Sequence, residues 1–136
     1  MNNKWIYFGI FLDEMSKKRN LQTLEENNVM IPEGWKMFNH HLTIAFNNKT
    51  EDAQNLYNVY KHVFGTNTTI TVDGIGISDD AMAMRVKFNN PIANKIPHIT
   101  IATPEGGKPV NSNKITKWMN IKPYSITGVI DEFIKK

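Results

Sequence analysis

The five residues His41-Leu42-Thr43-Ile44-Ala45 return, with one Leu-to-Ile change, as His98-Ile99-Thr100-Ile101-Ala102. Successive side chains of an extended strand point to opposite faces, so the repetition narrows sharply what this chain can fold into. In each copy the imidazole and the hydroxyl share one face and the aliphatic side chains share the other. The chain is therefore expected to hold two equivalent strands, each with an apolar layer behind and a His and a Thr in front. Two such strands lying together would surround one small anion with two proton-transfer groups and two hydroxyl donors, which is what phosphodiester chemistry without a metal needs.

Composition sets the frame for that pair. A length of 136 residues with 40% apolar content suits one domain with a real core and is too short for two. The net charge of +3 and the pI near 9.1 accommodate a polyanionic ligand but fall short of the dense basic patches of a duplex-binding protein. Cysteine is absent, which excludes disulfides and thiolate metal sites. Met1-Asn2-Asn3-Lys4 leads straight into a short apolar run with no leader-like segment, and no apolar stretch approaches the length of a membrane span. A soluble protein of the cytoplasm, with no membrane partner, is expected.

Taken in order, residues 5–12 are apolar on both faces, as in a central strand. Asp13 or Ser16 caps a helix to about Asn27, with Met15, Leu21 and Leu24 as its apolar face. A loop over residues 29–39 precedes the first His-x-Thr strand at 40–46. Thr50, followed by Glu51 and Asp52, caps a second helix to about Phe64, with Leu56, Tyr57, Val59, Tyr60 and Val63 as the buried stripe and Gly65 as its stop. His62, at its end, reads as a surface residue. Residues 68–77, with a kink or bulge at Gly74 and Gly76, pair as a hairpin with 81–88, and Pro97 leads into the second His-x-Thr strand. A Gly- and Pro-rich loop over 103–113 follows. Ser112 or Asn113 caps a short helical turn through Trp118, and a last strand covers 124–134.

The residues expected to carry chemistry are His41, Thr43, His98 and Thr100, one histidine acting as base and the other as acid. Which does which is left open by the sequence. No metal and no cofactor is implied: no carboxylate cluster accompanies the histidines, and a metal held by both imidazoles would remove their proton-transfer capacity. His40 is expected to point to the opposite face from His41 as a structural residue. Tyr7 on the first strand and Trp35 before the first motif are candidates for contact with the substrate, Trp35 by stacking on a nucleobase. The loop after the second motif adds Lys108, Asn111 and Ser112.

Paired His-x-Thr strands with an apolar residue on each side of the Thr resemble the 2H phosphoesterase family, the LigT-like fold that includes cyclic phosphodiesterases of RNA repair. The approach Gly34-Trp35-Lys36 to a doubled His, and the loop from Gly106 to Asn113, resemble most the small branch found in bacteriophages and RNA-repair-like proteins. The resemblance implies an α+β fold of two lobes, duplicated antiparallel sheets with helices outside and the active-site cleft between the lobes. It implies as substrate a small cyclic nucleotide or cyclic oligonucleotide, as in phage enzymes that degrade the signals of bacterial antiviral (CBASS-type) defence. In that setting the location is the host cytoplasm. The chain lacks the Arg-rich surface that follows the second motif in many bacterial relatives, which points to a small substrate over long RNA. The alternatives are an RNA end carrying a 2′,3′-cyclic phosphate or a 2′–5′ linkage, and a nucleotide-binding module or structural domain that cleaves nothing.

Overall fold

The computed structural model describes residues 4–135; Met1, Asn2 and Asn3, part of the segment read for a leader, lie outside the described residues. Seven strands and two α-helices alternate in the order β1 (Trp5–Leu12), α1 (Glu14–Glu26), β2 (Lys36–Met37), β3 (His41–Phe46), α2 (Glu51–Tyr60), β4 (Asn67–Ile77), β5 (Met82–Lys87), β6 (His98–Thr103) and β7 (Trp118–Ile134). All pairings are antiparallel, and the sheet order is β2-β6-β3-β1-β7-β4-β5. A further β5–β6 pairing closes six of the strands into a ring, with β2 attached to β6. This α+β architecture replaces the expected pair of separate sheets by one continuous sheet. The two halves join along both seams, β1 with β7 and β3 with β6, which satisfies backbone groups that free sheet edges would leave unpaired.

Both helices start where the sequence predicts, and both turn their buried stripes away from some of the expected residues. In α1 the Ser16 N–H donates to Asp13 Oδ1 at 2.8 Å. That cap sets the phase, so Ser16, Asn20, Thr23 and Leu24 are buried at helical spacing while Met15 is 82% exposed. In α2, capped by Thr50, the buried positions are Ala53, Tyr57 and Tyr60; Val59 and Val63 fall off the stripe into solvent. The helix gives way at Tyr60 to a 3₁₀ turn over Lys61–Val63 before Gly65, whose φ is +87°.

The β4–β5 hairpin carries its irregularity between Val72 and Gly74, as the glycines suggest. The C-terminal strand is longer than expected. The short helical turn is confined to Pro109–Lys114, and β7 begins at Trp118, paired with Gly76. Pro123, which has no N–H to give a ladder, sits in the gap of that register between Asn120 and Tyr124.

One face of this sheet forms the hydrophobic core. Phe8, Ile10, Leu42, Ile44, Ile99 and Ile101 are fully buried there, and both helices pack against the same cluster, with Trp5 stacked on Tyr57 at 4.7 Å between ring centroids. The aliphatic halves of both repeated phrases are therefore the reason β3 and β6 lie where they do.

Candidate active site

The opposite face of the same two strands carries the polar halves. Leu42 on β3 pairs with Ile99 on β6, so the residues that flank this pair, His41 and Thr43 on one strand and His98 and Thr100 on the other, share the opposite face. The two motifs therefore lie on neighbouring strands with their polar halves on one face. The two imidazoles lie near enough for the charge of His98 to act on His41. His41, Thr43, His98 and Thr100 all line one cavity of about 440 Å³, the volume of a single nucleotide's pocket.

β1 supports the first motif from behind and beside. Gly9 pairs with Thr43, and a Cβ at Gly9 would overlap the Leu42 carbonyl oxygen, so only glycine lets β1 approach this closely. Tyr7 stacks on the His41 ring at 4.8 Å, and Phe11 lies 5.6 Å from it. This aromatic wall limits water at His41. Burial, then the neighbouring His40 and His98, push the His41 imidazole down to about 4. His98 is also lowered by burial, but its Nδ1 lies 2.9 Å from the Ile96 carbonyl, which favours the protonated ring and opposes the shift. With Nδ1–H donated to Ile96, the Nε2 of His98 is the atom left for chemistry.

The hydroxyls differ as well. Thr100 Oγ1 donates to the Pro109 carbonyl at 3.2 Å and lies 2.9 Å from Ser112 Oγ, which ties it to the 3₁₀ turn after β6. Thr43 Oγ1 makes no hydrogen bond among the described residues and faces the cavity.

Of the other expected contacts, Tyr7 and Lys108 line the cavity. Trp35 does not: it is half-buried against the hydrophobic core, because the chain turns at Gly34 and runs as β2 along β6. Ser112 is 1% exposed and reaches the site only through Thr100, while Asn111 does not line the cavity and its N–H is used by the Lys108 carbonyl. His40 is a correction in the opposite sense. It lines the cavity beside His41, with the two Nδ1 atoms 3.4 Å apart, because Asn39 takes a left-handed φ of +58° and strand alternation begins only at His41.

Phe38, which the sequence offers beside Trp35 as a wall of the site, does line the cavity; Phe46 and Asn94 carry no such sign in the sequence, whereas Val110 and Asn113 belong to the loop already singled out. No Asp or Glu lines it, and among the described residues no group of three or more His, Cys, Asp or Glu is placed to hold a metal ion.

No curated protein matches the sequence. The sequence pattern of the fungal tRNA ligase phosphodiesterase domain does match, over residues 14–133, a span that holds both His-x-Thr strands and the loop closing the cavity. That family is one of cyclic phosphodiesterases, and the match bears on the family without bearing on the bacteriophage branch. With both motifs in one cavity and a match over most of its length, the chain belongs to the fungal tRNA ligase phosphodiesterase domain family of the 2H phosphoesterase superfamily.

Proposed function

We propose that this chain is a metal-independent phosphodiesterase that opens a 2′,3′-cyclic phosphate at an RNA end. The observation that supports the reading is one cavity lined by His41, Thr43, His98 and Thr100 together, two imidazoles and two hydroxyls from neighbouring strands. The family favours an RNA end over the small cyclic nucleotide or cyclic oligonucleotide that the motifs first suggest.

In this reading His41, held neutral by burial, takes a proton from water as the water oxygen attacks phosphorus. His98, the ring more readily protonated, gives a proton from Nε2 to the ribose oxygen as the P–O bond to it breaks. One water is consumed and a phosphomonoester with a free neighbouring hydroxyl results. Thr43 donates to a non-bridging oxygen as charge builds on it, and Thr100 does so by turning its proton from the Pro109 carbonyl to the phosphate. Tyr7, Phe38 and Phe46 offer aromatic faces to the terminal nucleobase, and Lys108 offers a cation to its phosphate.

The test is a panel of 2′,3′-cyclic mononucleotides, an RNA oligonucleotide ending in 2′,3′-cyclic phosphate, cyclic di- and trinucleotides and 2′–5′ oligoadenylate, read by chromatography in the presence of EDTA. Opening of the 2′,3′-cyclic phosphates is expected, with His41→Ala and His98→Ala each slower by about 10²-fold or more. Turnover of cyclic di- or trinucleotides alone would transfer the site to small signalling molecules. Tight binding without turnover of any of them would leave a sequestering module.

A further inference from the structure

The 440 Å³ cavity shares wall residues with two neighbours, and charge distinguishes them. On one side Phe46 and Asn94 are shared with a hollow beside the start of α2, where Asp52 is part of the wall. On the other side Asn94, His98 and Asn113 are shared with a cavity of about 360 Å³ whose remaining wall includes Lys95, Ile96 and Trp118. No carboxylate lines this second cavity. Lys108, Lys114 and Lys117 belong to the segment beside it, and none of these lysines or Lys95 takes part in an ion pair among the described residues. The indole N–H of Trp118 is buried with no acceptor among the described residues.

A nucleic acid strand has one phosphate per nucleotide and binds where cations are unpaired and carboxylates absent. A single-stranded segment leaving the histidine pair therefore meets repulsion toward Asp52 and attraction toward Lys95. We infer that the second cavity is a subsite for the penultimate nucleotide of an oligoribonucleotide. In it Lys95 holds the phosphodiester 5′ to the terminal ribose, Asn94 and Asn113 face the sugar and base edges at the junction, and Trp118 forms the wall beside the second base. The inference rests on the proposed opening of a 2′,3′-cyclic phosphate at an RNA end and adds which cavity takes the nucleotide before that end, a cavity that a cyclic mononucleotide leaves empty.

The experiment compares kcat/KM for adenosine 2′,3′-cyclic phosphate with that for the diadenosine dinucleotide ending in 2′,3′-cyclic phosphate, in wild type, Lys95→Ala and Lys95→Arg. The dinucleotide is expected to be preferred, the preference to shrink in Lys95→Ala and to return in Lys95→Arg. The salt dependence of the dinucleotide reaction should also flatten in Lys95→Ala by about 0.7 in log–log slope, the value for one phosphate contact on a single strand. Hydrolysis of both substrates with no preference, or a preference indifferent to Lys95, would overturn the subsite while leaving the cyclic-phosphate reading intact. No hydrolysis of either would overturn both. Because Lys95 is exposed and outside the core, loss of folding does not confuse the comparison; circular dichroism of the variants verifies this.

Discussion

Asn20, fully buried on α1, donates from Nδ2 to Oδ1 of Asn39 at 3.0 Å, and Asn39 is the residue whose left-handed backbone turns the chain into His40 and His41. Asn39 Nδ2 in turn donates to the Lys17 carbonyl at 2.9 Å, and Tyr124 donates its hydroxyl to Asn20 Oδ1 at 2.6 Å. A polar chain from β7 through α1 thus fixes the start of β3. Asn20→Ala leaves Asn39 Oδ1 without its donor and takes the acceptor from the Tyr124 hydroxyl, which costs about 1–3 kcal/mol each in buried surroundings. The expected outcome is a lower urea midpoint together with a fall in kcat, since the first motif loses its anchor. Full activity at unchanged stability would show that the network positions nothing.

Gly9 makes a sharper test of the same strand. Placing a Cβ against the Leu42 carbonyl forces β1 and β3 apart beside Thr43. Gly9→Ala is expected to lose about 1–3 kcal/mol through overpacking and to lower the rate as well. A variant as stable and active as wild type would mean that β1 has room to shift.

The two hydroxyls should not be equal. Thr43 faces the cavity unengaged, whereas Thr100 is held by Pro109 and Ser112. Removing one donor to a developing oxyanion typically costs about 10²-fold in kcat, and Thr43→Ala is expected near that figure. Ser112→Ala should cause a smaller loss, acting only by freeing the Thr100 hydroxyl to rotate. Measured kcat and KM for the two variants distinguish them; a larger loss in Ser112→Ala than in Thr43→Ala would reverse the assignment.

Much of this was legible in the repeated phrase alone. Period-two alternation put Leu42, Ile44, Ile99 and Ile101 in the core and the histidines and threonines in the cavity, because that rule depends only on strand geometry. Asp13 and Thr50 likewise announced both helix starts through their capping chemistry. What escaped was set by contacts distant in sequence. His40 was misplaced because a single left-handed residue, Asn39, suspends alternation, and nothing local to Asn39 demands that conformation without Asn20 beneath it. Trp35 was misassigned because an aromatic near a motif packs as readily into a core as into a pocket. Asn94 is brought to the site only by the approach of β3 and β6, where the Ala93 N–H donates to the Ile44 carbonyl at 3.0 Å.

The pH profile follows from the two imidazoles. Both sit below the ordinary value of 6.5 in the free protein, His41 at about 4. The productive form, with one ring neutral and its partner protonated, is therefore most abundant in acid. The bell in kcat/KM is expected between about 4 and 6.5, displaced below the neutral optimum that unperturbed histidines would give. A bound phosphate favours both protonated rings, so the kcat profile should shift to higher pH. A kcat/KM optimum above pH 7 would contradict the burial of the pair.

Stability should carry the same signature in the absence of substrate. The unfolded chain protonates His41 near 6.5 and the folded one only near 4, so between those values the unfolded state binds more protons and stability falls as pH falls. Above 6.5 the contribution is fully present; by pH 4 about 3 kcal/mol of it has gone, on the scale of 1.4 kcal/mol per pKa unit. Replacing the ring by an uncharged side chain removes this term, so His41→Gln should gain on wild type steadily from pH 6.5 down to 4 in urea unfolding, while losing turnover at every pH. The remaining acid sensitivity of the variant then includes His40 and His98, both also lowered by burial, and, toward pH 4, Asp13, whose carboxyl the Thr127 hydroxyl holds below the ordinary carboxylate value. Parallel stability curves for the two proteins would show that His41 is as easily protonated in the fold as outside it, and the assignment of His41 as the neutral base would lose its physical ground.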